Sequence, residues 1–241
     1  MFTNSVFGFL RCFVLLAVSQ GVAGGVAAGY SRERLATYVW IGQGLLGTVN
    51  IWSGPELADR IRTGHVVADL LRPVDPVWHY LAADLGRGGF AALTRLAFPI
   101  LVGAAAFDLY APARLVTYPL FVLSLLLATV VCFACRYLVN ATAYWLLDSR
   151  GPQIGWLAVS STLSGMAFPL AFLPPPVTTA LYLATPFPSL IQVPADVLVE
   201  RHSLPATAAM VAGQVAWAAV MLYVARLVQR RAERRLVIQG G

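Results

Sequence analysis

The chain contains no lysine; all seventeen of its basic residues are arginine. A P-loop grips nucleotide phosphates with a lysine, so this chain is not a standard P-loop ATPase. Charge of either sign is scarce, at 12% of 241 residues, where a soluble domain carries about a quarter. Hydrophobic residues make up 59% and the mean hydropathy is +0.72. Together with long apolar runs, that composition excludes an ordinary soluble domain and describes an all-α integral membrane protein. In such a protein the position of the arginines sets topology, so the net charge of +6 is not read as nucleic-acid binding. The three cysteines, Cys12, Cys132 and Cys135, lie in apolar runs, and an odd number gives no disulfide framework. Cys132-x-x-Cys135 has a redox or metal spacing but no second pair, and packing is the better reading. There is no H-E-x-x-H, no G-x-S-x-G and no Gly-rich dinucleotide loop. His65, His79 and His202 are scattered. No catalytic, cofactor-binding or metal-binding residues are indicated.

What is present is a single transmembrane domain, 1–241, with spans expected at about 2–28, 35–52, 90–110, 115–138, 154–172 and 204–227. The first ends in Gly21-x-x-x-Gly25-x-x-x-Gly29, a spacing that lets another helix approach closely. Arg11 within it reads as a snorkelling interface residue or as an intramembrane charge. Gln43 and Asn50 in the second span and Gln214 in the sixth read as interhelical hydrogen-bonding groups or as candidates for a translocation path. Pro99 is expected to kink the third span. Between spans five and six, 174–203 is semi-apolar and broken by Pro186, Pro188 and Pro194, which argues for two half-helices in an external hairpin. Arginine counting orients the chain. Arg60, Arg62, Arg72, Arg87, Arg136, Arg150, Arg226, Arg230, Arg231, Arg234 and Arg235 fall on one side; Arg32, Arg34, Arg114 and Arg201 fall on the other. The first side is then cytoplasmic, with both ends inside. The basic tail, 228–241, also suits anionic lipid.

One stretch, 53–89, is too polar for lipid. It begins with Ser53, Pro55 and Glu56, a capping-box spacing with proline in the first turn. Glu56 and Arg60 are spaced to pair at i, i+4, and Leu57 and Ile61 share a face. The spacing predicts a short amphipathic helix broken at Gly64, then a second over 66–71. It reads as a docking platform at the membrane surface or as a solvated loop. Asp69, Asp75 and Asp84 could serve a lipid-modifying enzyme as metal-binding carboxylates, but the arginines between them favour ion pairing.

Several strings within this layout resemble a known family. They are Phe2-Thr-Asn-Ser-Val-Phe-Gly-Phe, Glu56-Leu-Ala-Asp-Arg-Ile-Arg-Thr-Gly64, Asp69-Leu-Leu-Arg-Pro-Val-Asp75, Asp84-Leu-Gly-Arg87, Phe168-Pro-Leu and Pro186-Phe-Pro-Ser-Leu190. The chain resembles permease subunits of ABC-2 type ATP-binding-cassette transporters, in a bacterial branch, over nearly its whole length. The resemblance implies a six-helix half-transporter of the exporter type in the bacterial inner or plasma membrane, itself non-catalytic and without a cofactor. It further implies a second permease subunit, identical or related, and a separate ATPase subunit that binds the ATP. It places the ATPase-coupling helix at Glu56, Leu57, Asp59, Arg60, Ile61 and Arg62, and a re-entrant external hairpin at 174–203. Relatives usually carry an amphipathic cytoplasmic helix before the first span; here the apolar run starts at Phe2.

Overall fold

The computed structural model describes residues 2–20, 28–54, 56–146 and 148–239, and side chains at 5–19, 28–54, 56–146 and 148–234. Gly21 and Gly25 of the glycine repeat and Pro55 lie outside the described residues. Every regular element among the described residues is helical. Helices α1 (Phe2–Gln20) and α2 (Arg32–Val49) are followed by the short α3 (Glu56–Arg62) and α4 (Val66–Leu70). Helix α5 (Pro76–Ala91) runs through a π-helical turn (Ala92–Leu96) into α6 (Ala97–Ala106). Then come α7 (Thr117–Ala141), α8 (Arg150–Leu163), α9 (Pro175–Ala184), α10 (Gln192–Leu198) and the long α11 (Leu204–Gln239).

Helix α2 is the axis of the bundle. Leu35 to Leu45 is buried without interruption, the pattern of a helix covered on every side by protein. Ser31 caps it at the start, its Oγ accepting from the Arg34 amide at 3.3 Å, and Asn50 ends it in the left-handed conformation at φ 58°. Trp40 at its centre is wholly buried, with Phe9 and Phe107 against its ring. Two glycines make room for that indole. A Cβ at Gly103 on α6 would stand 2.4 Å from Trp40, and one at Gly8 on α1 3.0 Å from it. Small residues that let helices approach closely are the membrane counterpart of core packing.

Among the described residues, three helical stretches are long and apolar enough to cross a membrane: Pro76–Ala106, Thr117–Tyr144 and Leu204–Arg234; Ser5–Ser19 is a shorter apolar helix. Six were expected from sequence. Helix α2 carries Arg32, Glu33 and Arg34 in its first turn, and its sides meet protein, so its sequence need not be uniformly apolar. Helix α8 stops at Leu163, well short of the 154–172 span expected, where Ser164 and Gly165 turn the chain.

The largest departure concerns the third of the six. It was expected to start at residue 90, but the helix starts at Pro76, with Asp75 as N-cap accepting from the Val77 amide at 2.9 Å. Asp-Pro is a start signal in the chain itself: the acid caps and the proline fills the first helical position. The expected break at Pro99 takes the form of the π-turn just before it, the usual accommodation where proline withdraws an amide from the ladder. Beyond α8, Pro174 to Val199 folds as two short helices, α9 and α10, joined through Pro186 and Pro188. As far as Gln239, the basic tail continues as the last turns of α11.

Candidate functional site

Helix α3 lies across the end of α7, and its local chemistry explains its shape. Glu56 and Asp59 stand in its first turn and Arg60 and Arg62 in its last, the order that suits the helix dipole. Gly64 ends it at φ +77°, a left-handed conformation at which a side chain would be strained. The chain reverses there, and α4 runs back beside α3.

Two sets of polar contacts fasten this pair to the bundle. The Arg60 guanidinium forks onto the Asp69 carboxylate with Nε at 2.6 Å and Nη2 at 2.7 Å, closing the Gly64 turn. Tyr80 on α5 donates to the same carboxylate at 2.7 Å. Burial works to raise the Asp69 pKa, but the bonds from Arg60 and Tyr80 outweigh it and hold the carboxyl below its usual value. Further along, Glu56 meets Arg87 at 3.1 Å, Arg87 meets Asp84 at 3.2 Å, and Asp84 takes Arg136 of α7 at 2.5 Å. The Ala58 amide donates to Asn140 Oδ1 at 3.4 Å, and Asn140 is itself held by the Arg136 carbonyl at 2.8 Å. Separately, Arg226 of α11 stands 3.1 Å from Asp75, with its guanidinium over the Trp78 ring.

The residues expected to carry coupling therefore divide. Leu57 is 5% exposed and packs with Val66, Val77, Leu81 and Phe133, and Ile61 leans on the same cluster. The apolar face of α3 is thus turned to the chain's own helices. Glu56 does not pair with Arg60 as spacing suggested, because Arg87 and Asp69 offer each a closer partner. Arg60 is half-buried and committed to Asp69. Asp59 and Arg62 remain on the exposed face, beside Thr63 and His65. Ion pairing, expected for Asp69, Asp75 and Asp84, is what all three do.

A cleft of about 770 Å³ opens between α1, α2 and the π-turn, lined among others by Phe7, Arg11, Gln43, Leu46, Asn50, Trp52, Arg95 and Phe98. Two of the three expected path residues, Gln43 and Asn50, stand in it. Gln214 does not: its Oε1 accepts from Ser124 Oγ at 2.7 Å and its Nε2 donates to the Ser189 carbonyl at 2.9 Å, tying α11 to α7 and to the turn before α10. Arg11, which from sequence reads as a snorkelling residue or as an intramembrane charge, lines this cleft together with Arg95.

At the opposite end of α2 a second polar knot gathers around α10. Asp196 accepts from Tyr30, from Gln192 Nε2 at 2.8 Å and from Arg201 at 3.3 Å. Glu200, at φ 49°, receives Thr117 at 2.5 Å, Tyr110 at 2.7 Å and the Arg114 amide at 2.9 Å. Burial would raise its pKa, but these bonds prevail and bring it down to about 2. Sequence reasoning missed this knot; Glu200 lies 83 to 90 residues from Thr117, Arg114 and Tyr110 in the chain, and no local spacing betrays the meeting.

A family model described as ABC-2 family transporter protein matches residues 6–240. No curated protein and no solved structure shows a match.

Proposed function

The chain belongs to the ABC-2 family of transporter proteins, a permease that works with an ATP-binding subunit, and we propose that it takes up the ATPase stroke through α3 and exports its cargo. The observation that carries this reading is the mounting of α3. Its inner face is bolted to α5 by Arg60, Asp69 and Tyr80, and to α7 by the Ala58–Asn140 bond. Its outer face leaves Asp59 and Arg62 free. A short helix held at two bundle helices and bare on one side is suited to pass on a displacement, because packed helices move as units.

The same reading has six membrane-crossing segments with both ends cytoplasmic, α3 and α4 on the cytoplasmic face, and α9 and α10 forming a hairpin at the far face. A second permease subunit and two ATPase subunits complete the transporter in a bacterial inner or plasma membrane. Membership in a transport family and ion pairing at Asp69, Asp75 and Asp84 both favour this over a lipid-modifying enzyme.

The test is thiol accessibility. The native cysteines are buried, so single thiols at Arg62→Cys and Val177→Cys can be labelled selectively in intact cells and in inside-out vesicles. Labelling of position 62 only from the cytoplasmic side supports the reading. Labelling of position 62 from outside puts α3 beyond any ATPase and ends it.

A further inference from the structure

We propose that the cleft between α1, α2 and the π-turn binds an amphiphile with an acidic headgroup, the head held by Arg11 and Arg95 and the hydrocarbon lying on Phe7, Leu46, Trp52 and Phe98. The proposal rests on the permease reading only in calling that molecule cargo; the binding itself belongs to this chain.

Charge makes the first argument. All eleven acidic residues of the chain lie among those whose side chains are described, and six are engaged in ion pairs. None pairs with Arg11 or Arg95. The Arg11 Nε is buried and has no hydrogen-bond partner among the described residues. Guanidinium is always charged, and leaving it unpaired in an apolar surround is costly. Arg11 stands more than two turns into α1, so it is not a helix-end cation. Arg95 is placed by contact with α2: a Cβ at position 47 would come 3.3 Å from its Cδ, so Gly47 gives its stem room. Two planar forks on one cleft are the arrangement that takes an oxyanion through paired bonds.

Shape makes the second. The volume of about 770 Å³ is that of a site for a ligand of drug or single-lipid size. Apart from the two arginines, Gln43 and Asn50, the lining residues named are apolar or glycine, with exposed Phe7, Trp52 and Phe98 at the rim. A simple inorganic anion would leave that surface uncovered. A second copy of the chain is a poor occupant, since a two-fold contact sets the same basic cleft against itself. The unpaired carboxylates, such as Glu33, Asp108 and Asp148, sit at helix starts or in loops elsewhere.

Bromine-labelled hexadecyl phosphate and the matching bromine-labelled hexadecanol test this on the full chain alone, in phosphatidylcholine nanodiscs, with tryptophan quenching as the readout. The phosphate probe is expected to quench saturably and to bind roughly tenfold more tightly than the alcohol, with Trp52→Phe removing much of the signal. Arg95→Gln, on the exposed rim, should erase most of that preference, and Arg95→Lys should keep part of it. Equal binding of the two probes, or an unchanged preference in both Arg95→Gln and Arg11→Gln, overturns the proposal. So does displacement of the probe by inorganic phosphate at similar concentration, which would mark an ion site without a place for the chain. Absence of saturable quenching also overturns it, as when a second subunit fills the cleft. Because no ATPase is present, failure of the coupling reading leaves this result standing, and failure here leaves coupling intact.

Discussion

Arg136 of α7 donates to Asp84 of α5 at 2.5 Å, with side chains only 9% and 1% exposed, and thereby joins the platform-bearing helix to the bundle. Removing one partner of a buried pair leaves an uncompensated charge, at a cost of roughly 3–5 kcal/mol. Asp84→Asn should therefore lower the thermal midpoint of the purified protein markedly. The double variant Asp84→Leu with Arg136→Leu should recover much of the loss. Thermal unfolding in detergent followed by size-exclusion chromatography reads both; equal loss in the single and double variants would show that the pair is not what holds α5 to α7.

Charge reversal separates the two arginines of α3. Arg62→Glu alters an exposed face and should slow association of the ATPase subunit and make binding less sensitive to salt, with normal membrane insertion. Arg60→Glu breaks the fork to Asp69 and should loosen α3 itself. Protection of the 56–70 amides in hydrogen exchange tells these apart: it should fall in the second variant and hold in the first.

Glu200 supplies a pH dependence. Its folded pKa of about 2 lies below the ordinary carboxylate value of 4.5. A depressed folded pKa means that the unfolded chain binds the proton more readily, so the stabilisation is complete above about pH 4.5 and disappears as pH falls toward 2. Glu200→Gln should flatten that part of the profile and lower the midpoint at neutral pH. Midpoints of the two proteins taken between pH 6 and pH 3 should converge toward the acid end; parallel curves would contradict the assignment.

Gly103→Ala places a methyl into the Trp40 ring, 2.4 Å from its nearest atom. Overpacking of this kind costs about 1–3 kcal/mol. Trp40→Leu in the same background should relieve it in part, a rescue that thermal midpoints can detect and that no general effect of glycine replacement would produce.

Much of this architecture could be read from local chemistry. Leu57 and Ile61 at helical spacing announce α3, Gly64 its end, and the prolines at 186 and 188 the break between α9 and α10. Direction was less legible. An apolar stripe shows that a helix has a partner but not which one, and Leu57 found its partner in Val77 and Phe133 of the same chain. The start of α5 was hidden by its charges. Asp84 and Arg87 looked like residues for water, because the arginine that neutralises Asp84 lies 52 residues further on. The cleft was invisible for the same reason: Arg11 and Arg95 come to line one cavity only in three dimensions, although Gln43 and Asn50 stood out as polar groups in an apolar run.

The π-turn at Ala92–Leu96 means that α5 and α6 are not one stiff rod. It holds an extra residue per turn, and Pro99 just beyond it gives no amide back to the ladder. A tilt imposed on α5 from the α3 end is therefore absorbed at this articulation instead of reaching Ala106 undiminished. Arg95 sits on it and Phe98 just beyond it, so a bend at this articulation would shift the Arg95 cation relative to the cleft that it lines.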